Sequence, residues 1–135
     1  MKKQGLLIVM MMMSILLFNC KSSVSSVKIE EGRKVYFANC LGCHMDNGTG
    51  VPRMNPPLVN SPYVMGHPNS LIELVLRGSE FFGATKRSYN NQMASFRALS
   101  DTEIANLLTY VRNNYAKTGD EISAEEVKSV RSTLK

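Results

Sequence analysis

Hydrophobic and polar positions divide the chain into three parts. Leu6 to Phe18 is apolar throughout except for Ser14 and follows Lys2 and Lys3. At that length, with a basic start, it reads as an export signal, too short for an ordinary transmembrane span. Lys21 to Lys28 is a Ser-rich stretch of the kind that forms a flexible tether, so folding is expected to begin near Ile29. From Glu30 to Asn39 the pattern predicts a helix, with Gly32, Tyr36 and Cys40 at intervals of four on one face. Glycine inside a helix costs about 1 kcal/mol relative to alanine, a cost that a close helix crossing would offset. The partner is the helix predicted over Asp101 to Tyr115. It opens with a Ser100/Glu103 capping box and carries Ile104, Leu107, Leu108, Val111 and Tyr115 as its apolar stripe. Tyr110 stands ready to fill the space above Gly32.

Between these helices turn-formers dominate. Asp46-Asn47-Gly48-Thr49-Gly50 is a turn cluster, and Pro56-Pro57-Leu58 is extended. A short helix is predicted over Leu71 to Arg77, with Ser70 as its cap, Glu73 as the box residue and Gly78 as its stop. Ser79 to Gln92 is glycine-rich and polar and leads to Met93. With so little regular structure in the middle, a buried group must organise it.

Composition changes this picture in two places. A length of 135 residues fits one domain. The net charge of +5 falls to +3 once residues 1–19 leave with Lys2 and Lys3. No basic stripe with interleaved aromatics is present, so nucleic acid is not an expected partner. The three cysteines matter more. Cys20 closes the apolar leader in Leu17-Phe18-Asn19-Cys20, which resembles a bacterial lipobox, although Asn19 stands where a smaller residue is usual. The expectation is a lipoprotein signal over 1–19, acylation of Cys20, a tether over 20–28 and a domain over 29–135. A mature lipoprotein carries more than one acyl chain, and a second chain makes anchoring firm. That places the domain on the periplasmic side of a bacterial membrane.

The other two cysteines lie in Cys40-Leu41-Gly42-Cys43-His44, the C-x-x-C-H pattern of c-type haem attachment. The spacing suits addition of both thiols to the vinyl groups of one haem while the adjacent imidazole reaches the iron. Two other readings compete. A zinc site needs a further N, S or O ligand, for which His67 is the strongest candidate besides Cys20. A thioredoxin-like redox pair is expected beside a βαβ pattern, which is not found here.

Beyond that motif, the ordered set Gly32-x-x-x-Tyr36-x-x-x-Cys40-x-x-Cys43-His44, Gly48-Thr49-Gly50-Val51, Pro56-Pro57-Leu58, Tyr89 to Met93 and Leu99 to Arg112 resembles a class I c-type cytochrome. The likeness is to the small mono-haem domains that accompany quinohaemoprotein dehydrogenases and terminal oxidases, and it covers roughly residues 29–131, including the Ser123/Glu126 capping box. It implies an all-α fold with crossing terminal helices and short helices and loops around one covalent haem c. It further implies electron transfer rather than catalysis, between redox-protein partners that include a membrane-bound dehydrogenase or oxidase.

By the same resemblance His44 is the proximal ligand, the Pro56 carbonyl accepts from its Nδ1–H, Leu58 packs near the ring edge and Tyr89 bonds a propionate. Met93 occupies the family's distal-ligand position. Met45 adjoins His44 and cannot cross to the other face, and Met54 and Met65 fall in the proximal-side loop. His67 is the rival, giving a bis-histidine site, and an open distal position would make the chain a haem enzyme or gas sensor. The family's usual Met-Pro is Met93-Ala94 here, which leaves the loop less rigid.

Overall fold

The computed structural model describes residues 24–79 and 89–134. The expected signal (1–19), Cys20, tether residues 21–23 and most of the polar segment before Met93 lie outside the described residues. The helices are α1 (Ser26–Asn39), α2 (Leu41–His44), α3 (Pro62–Met65), α4 (Pro68–Arg77), α5 (Asp101–Val111) and α6 (Ala124–Thr133), with a π turn (Arg112–Ala116) directly after α5. Among the described residues the only β pairing is an isolated bridge between Val51 and Asn55.

The fold is organised by the crossing of α1 on α5. Of α1, only Gly32 and Tyr36 are buried, so this helix contributes a narrow stripe and depends on its partner. A Cβ at Gly32 would lie 2.0 Å from the Asn106 carbonyl oxygen and 2.8 Å from Tyr110 Cβ. Only glycine permits that approach, and Tyr110 does pack beside it. The exposed face of α1 carries i,i+3 pairs, Arg33 with Glu30 and Lys34 with Glu31. The helix starts four residues before the expected Glu30, so Ser26 to Lys28, read as tether, are helical. Lys28 pairs with Glu121, and the Ser25 N–H donates to the same carboxylate at 3.3 Å.

α5 has the expected capping box, with the Glu103 N–H donating to Ser100 Oγ at 3.2 Å and the Glu103 carboxylate accepting the Ser100 N–H at 2.8 Å. It buries Ile104, Ala105, Leu107, Leu108, Thr109, Tyr110 and Val111. The predicted helix to Tyr115 is α-helical to Val111 and then widens into the π turn, which buries both Arg112 and Tyr115. α6 has its own box at Ser123 and Glu126 and seats Val127 and Val130 in the core. Its Arg131 ties the two ends of this region together, reaching Asp101 Oδ1 at 2.7 Å and the Arg97 and Leu99 carbonyls at 2.8 and 2.7 Å.

α4 corrects one expectation. It starts at Pro68 with His67 as N-cap, the ring Nδ1 accepting from the Asn69 N–H at 3.2 Å. Proline is favoured at the first helical position because its missing N–H would have no intrahelical partner. That places Ser70 inside the helix, and Glu73 pairs with Arg77 at 3.1 Å rather than closing a box. Gly78 ends the helix at φ 76°, as expected.

Candidate functional site

The C-x-x-C-H motif sits where α1 ends. The Cys40 N–H donates to the Tyr36 carbonyl at 2.8 Å, continuing α1, and the single turn α2 is closed by His44 N–H to Cys40 carbonyl at 2.9 Å. One helical turn puts Cys40 and Cys43, three apart, on neighbouring positions of one face. Cys43 is exposed and Cys40 half-buried. Burial, helped by the neighbouring Cys43, pushes the Cys40 thiol up to about 12, so it stays protonated.

His44 Nδ1 lies 3.0 Å from the Pro56 carbonyl oxygen. A carbonyl only accepts, so Nδ1 carries the proton and the neutral ring keeps its lone pair at Nε2, the form in which imidazole binds a metal. Burial lowers the pKa of His44, against the opposing pull of the Pro56 carbonyl, which favours the neutral ring.

The loop after His44 is tightly bonded to itself. Met45, Gly48 and Gly50 take positive φ, at 63°, 69° and 65°. The Gly50 N–H donates to the His44 carbonyl at 3.1 Å, and the Leu58 N–H to the Gly48 carbonyl at 2.7 Å. A Cβ at Gly50 would lie 2.6 Å from the Pro56 oxygen, so glycine there is what lets that carbonyl sit where His44 meets it. Leu58 is half-buried against the core.

Met93 is anchored to the end of α4. Its N–H donates to Ser79 Oγ at 2.8 Å and its carbonyl accepts the Ser79 N–H at 3.0 Å. Ser95 Oγ donates to the Leu76 carbonyl at 2.6 Å, and the Phe96 N–H to the Val75 carbonyl at 3.0 Å. Met93 is half-buried and, with Leu58, Phe96 and Leu99, packs against the core cluster. Tyr89 is half-buried at the edge of the described residues. The next two residues bond across to the loop before Pro56, Asn90 N–H to the Arg53 carbonyl at 2.8 Å and Asn91 N–H to the Met54 carbonyl at 3.1 Å. The rival residues lie outward. His67 is exposed with Nδ1 engaged at its helix cap, and Met45, Met54 and Met65 are 43%, 40% and 54% exposed.

The donor set therefore fits c-type haem: two thiols one turn apart, an imidazole fixed in one tautomer and a half-buried thioether. Among the described residues no three His, Cys, Asp or Glu side chains are grouped to hold a metal ion, and no βαβ unit frames the cysteine pair.

Three features were missed from sequence. Tyr36 and Tyr115, read only as core, donate their hydroxyls to the Met45 carbonyl at 2.6 Å and the Asp46 carbonyl at 2.8 Å. Arg112 is buried, pairs with Asp120 at 2.6 Å and donates to the Val64 and Gly66 carbonyls at 2.7 and 2.8 Å. A cation at the end of an apolar stripe, eight residues before an acid, was the available signal. Ser79 offered none.

The cytochrome c family matches residues 29–114. Cytochrome c-552 of Thermus thermophilus is 35% identical over 111 residues, covering 75% of this chain and 84% of that protein. The cytochrome c subunit of the quinone alcohol dehydrogenase of Gluconobacter oxydans (strain 621H) is 34% identical over 105 residues, covering 76% of this chain. The fructose dehydrogenase cytochrome subunit of Gluconobacter japonicus is 29% identical over 119 residues, covering 82%. The chain spans 22% and 24% of the lengths of those two subunits. Helical architecture, attachment motif and these matches agree: the chain belongs to the cytochrome c family, as an all-α domain that binds one covalent haem c and transfers electrons.

Proposed function

We propose that the chain carries one electron at a time with Cys40 and Cys43 as the covalent attachment points and His44 and Met93 as the two iron ligands. The observation that carries this reading is the Nδ1 contact of His44 with the Pro56 carbonyl at 3.0 Å. It fixes the ring plane and tautomer and raises the basicity of Nε2. When bound, the haem supplies the reversible one-electron chemistry of its iron. The chain's own contribution is to hold the two ligands, exclude water and set the potential. Leu58, half-buried against the core, would help exclude water from the bound haem, and Tyr89 would donate to a propionate. A thioether from Met93 is a soft neutral ligand that favours the ferrous state and raises the potential.

The test is the spectrum of the reduced protein. A six-coordinate low-spin form that does not bind carbon monoxide is expected. A five-coordinate high-spin form that binds it readily would make the chain a haem enzyme or gas sensor.

The reading extends to location. Cys20 becomes the acylated mature N-terminus, and the domain works at the periplasmic face of a bacterial membrane. Among the described residues no helix is long and apolar enough to cross a membrane. The wild type should partition into detergent and Cys20→Ala should not be processed; a mature soluble protein beginning elsewhere would overturn this. Similarity to dehydrogenase cytochrome subunits favours a membrane dehydrogenase as electron donor. Co-purification of such a complex from detergent extract supports that partner, and isolation of the chain alone counts against it.

A further inference from the structure

Two phenols from separate elements converge on the backbone that follows His44. Tyr36, on α1 one turn before Cys40, donates to the Met45 carbonyl at 2.6 Å. Tyr115, in the π turn after α5, donates to the Asp46 carbonyl at 2.8 Å. Their rings are 5.5 Å apart, and both contact the Tyr110 ring, at 5.5 and 6.0 Å. The carbonyls they capture lie just past the end of α2, where helical backbone acceptors lack intrahelical donors. Met45 has φ 63°, a strained conformation for a side-chain-bearing residue that persists only where the surroundings impose it.

The contact continues into the ligand. The Tyr115 ring lies against Gly48, where a Cβ would come within 2.5 Å of it. The Gly48 carbonyl accepts the Leu58 N–H at 2.7 Å. Gly50 touches the Pro56 carbonyl, and Pro56 holds His44. A displacement of the turn at Met45–Asp46 therefore reaches the imidazole through two glycine contacts and two hydrogen bonds. Tyr110 belongs to the same ring cluster: its hydroxyl accepts from Asn114 Nδ2 at 3.4 Å and also meets the Tyr115 hydroxyl.

We propose that Tyr115, together with Tyr36, is a positioning residue for His44: their hydroxyls pin the turn that holds the Pro56 carbonyl against the imidazole. This rests on His44 being an iron ligand. The π turn gains a purpose on this account, since it is the element that brings Tyr115 inward. Both phenols are pushed up to about 12, mainly by burial, so both remain donors across the range in which the protein is handled.

The test uses the haem-loaded protein and its Tyr115→Phe variant, which removes one hydroxyl and keeps the ring. Tyr36→Phe is the second variant and Tyr63→Phe, at an exposed ring outside the cluster, the control. The readouts are solvent exchange of the His44 Nδ1 proton in the reduced protein, by NMR, and the midpoint potential. One lost hydrogen bond should speed exchange by about tenfold. The potential should rise, because a looser bond to Pro56 leaves the imidazole a weaker donor to ferric iron. Tyr36→Phe should move both the same way, and Tyr63→Phe neither. If Tyr115→Phe and Tyr36→Phe unfold more easily yet keep wild-type exchange and potential, the tyrosines only stabilise the fold and the proposal is overturned. Failure of the ligand reading looks different: His44 ring protons in the oxidised wild type would then show no paramagnetic shift.

Discussion

His44 and Met93 are held by different amounts of structure. Around His44, α1, the π turn and the glycine turn all converge, and the backbone from Met45 to Leu58 is bonded to itself at Gly48, Val51, Asn55 and Leu58. Arg112 extends this region by holding the carbonyls of Val64 and Gly66. Among the described residues Met93 itself makes the reciprocal pair with Ser79 beyond the Gly78 stop of α4, and Ala94 follows it where the family usually has proline. The first region is braced from three elements; the described residues of the second are held at the end of α4 and, through Asn90 and Asn91, at the loop before Pro56. An electron carrier of this build should keep its histidine bond under most perturbations and lose its methionine bond first.

The largest test of that contrast is Arg112→Met. The variant removes the donors of two carbonyls, each costing about 1–3 kcal/mol when left unpaired, so denaturant unfolding should show a loss of about 3 kcal/mol. In the folded state the sulfur-to-iron charge-transfer band should persist, because Arg112 does not touch the Met93 attachment. Disappearance of that band at full folding would show that the two regions are coupled.

Next in size is a matched pair of glycines. Gly50 (φ 65°) lies against the Pro56 oxygen, and Gly78 (φ 76°) lies against the Met93 oxygen, 2.6 Å from a built Cβ in each case. Alanine at either costs about 1–2 kcal/mol for the left-handed backbone alone. Gly50→Ala should hasten exchange of the His44 Nδ1 proton and leave the charge-transfer band. Gly78→Ala should weaken the band and leave the proton. Identical effects at both readouts would erase the distinction between the regions.

Ser79→Ala is milder. It takes away the acceptor of the Met93 N–H, worth about 1 kcal/mol. Added imidazole, measured by titration of the oxidised protein, should displace Met93 roughly fivefold more readily. Unchanged affinity would mean that Met93 has a second anchor.

The smallest effect is one of pH. The Arg112 guanidinium beside Asp120 holds its carboxyl below the usual carboxylate range, with Thr118 adding a hydrogen bond and burial opposing both. A depressed folded pKa stabilises fully above the ordinary value near 4 and is lost as pH falls through the folded value. Acid unfolding of the wild type should therefore steepen below about pH 4, and Asp120→Asn should flatten that slope. An unchanged slope would remove Asp120 from the account.

What could be read from sequence was local. The boxes at Ser100 and Ser123 and the Gly32 crossing each follow from a short pattern, and all three stand in the structure. The α4 start was misplaced because Ser70-x-x-Glu73 imitates a box, while proline at the first position and the His67 ring decide the actual start. The beginning of α1 was misplaced for the opposite reason: Glu121, ninety-odd residues away, extends it. The phenol contacts on Met45 and Asp46 depend on a π turn that helical periodicity cannot register. At the site, the motif declared Cys40, Cys43 and His44. Pro56, Leu58, Tyr89 and Met93 came through family resemblance, since nothing in their local pattern separates a ligand from packing.

The central claim is that Met93 completes the iron's coordination and so sets the electron-transfer role. Its direct measurement is the spectrum and midpoint potential of Met93→Ala beside His67→Ala. The account predicts that Met93→Ala loses the sulfur-to-iron charge-transfer band, falls in potential and, once reduced, binds carbon monoxide, while His67→Ala stays at the wild-type values. A Met93→Ala protein with wild-type spectrum and potential, paired with a His67→Ala protein altered in both, would contradict it and make the site bis-histidine.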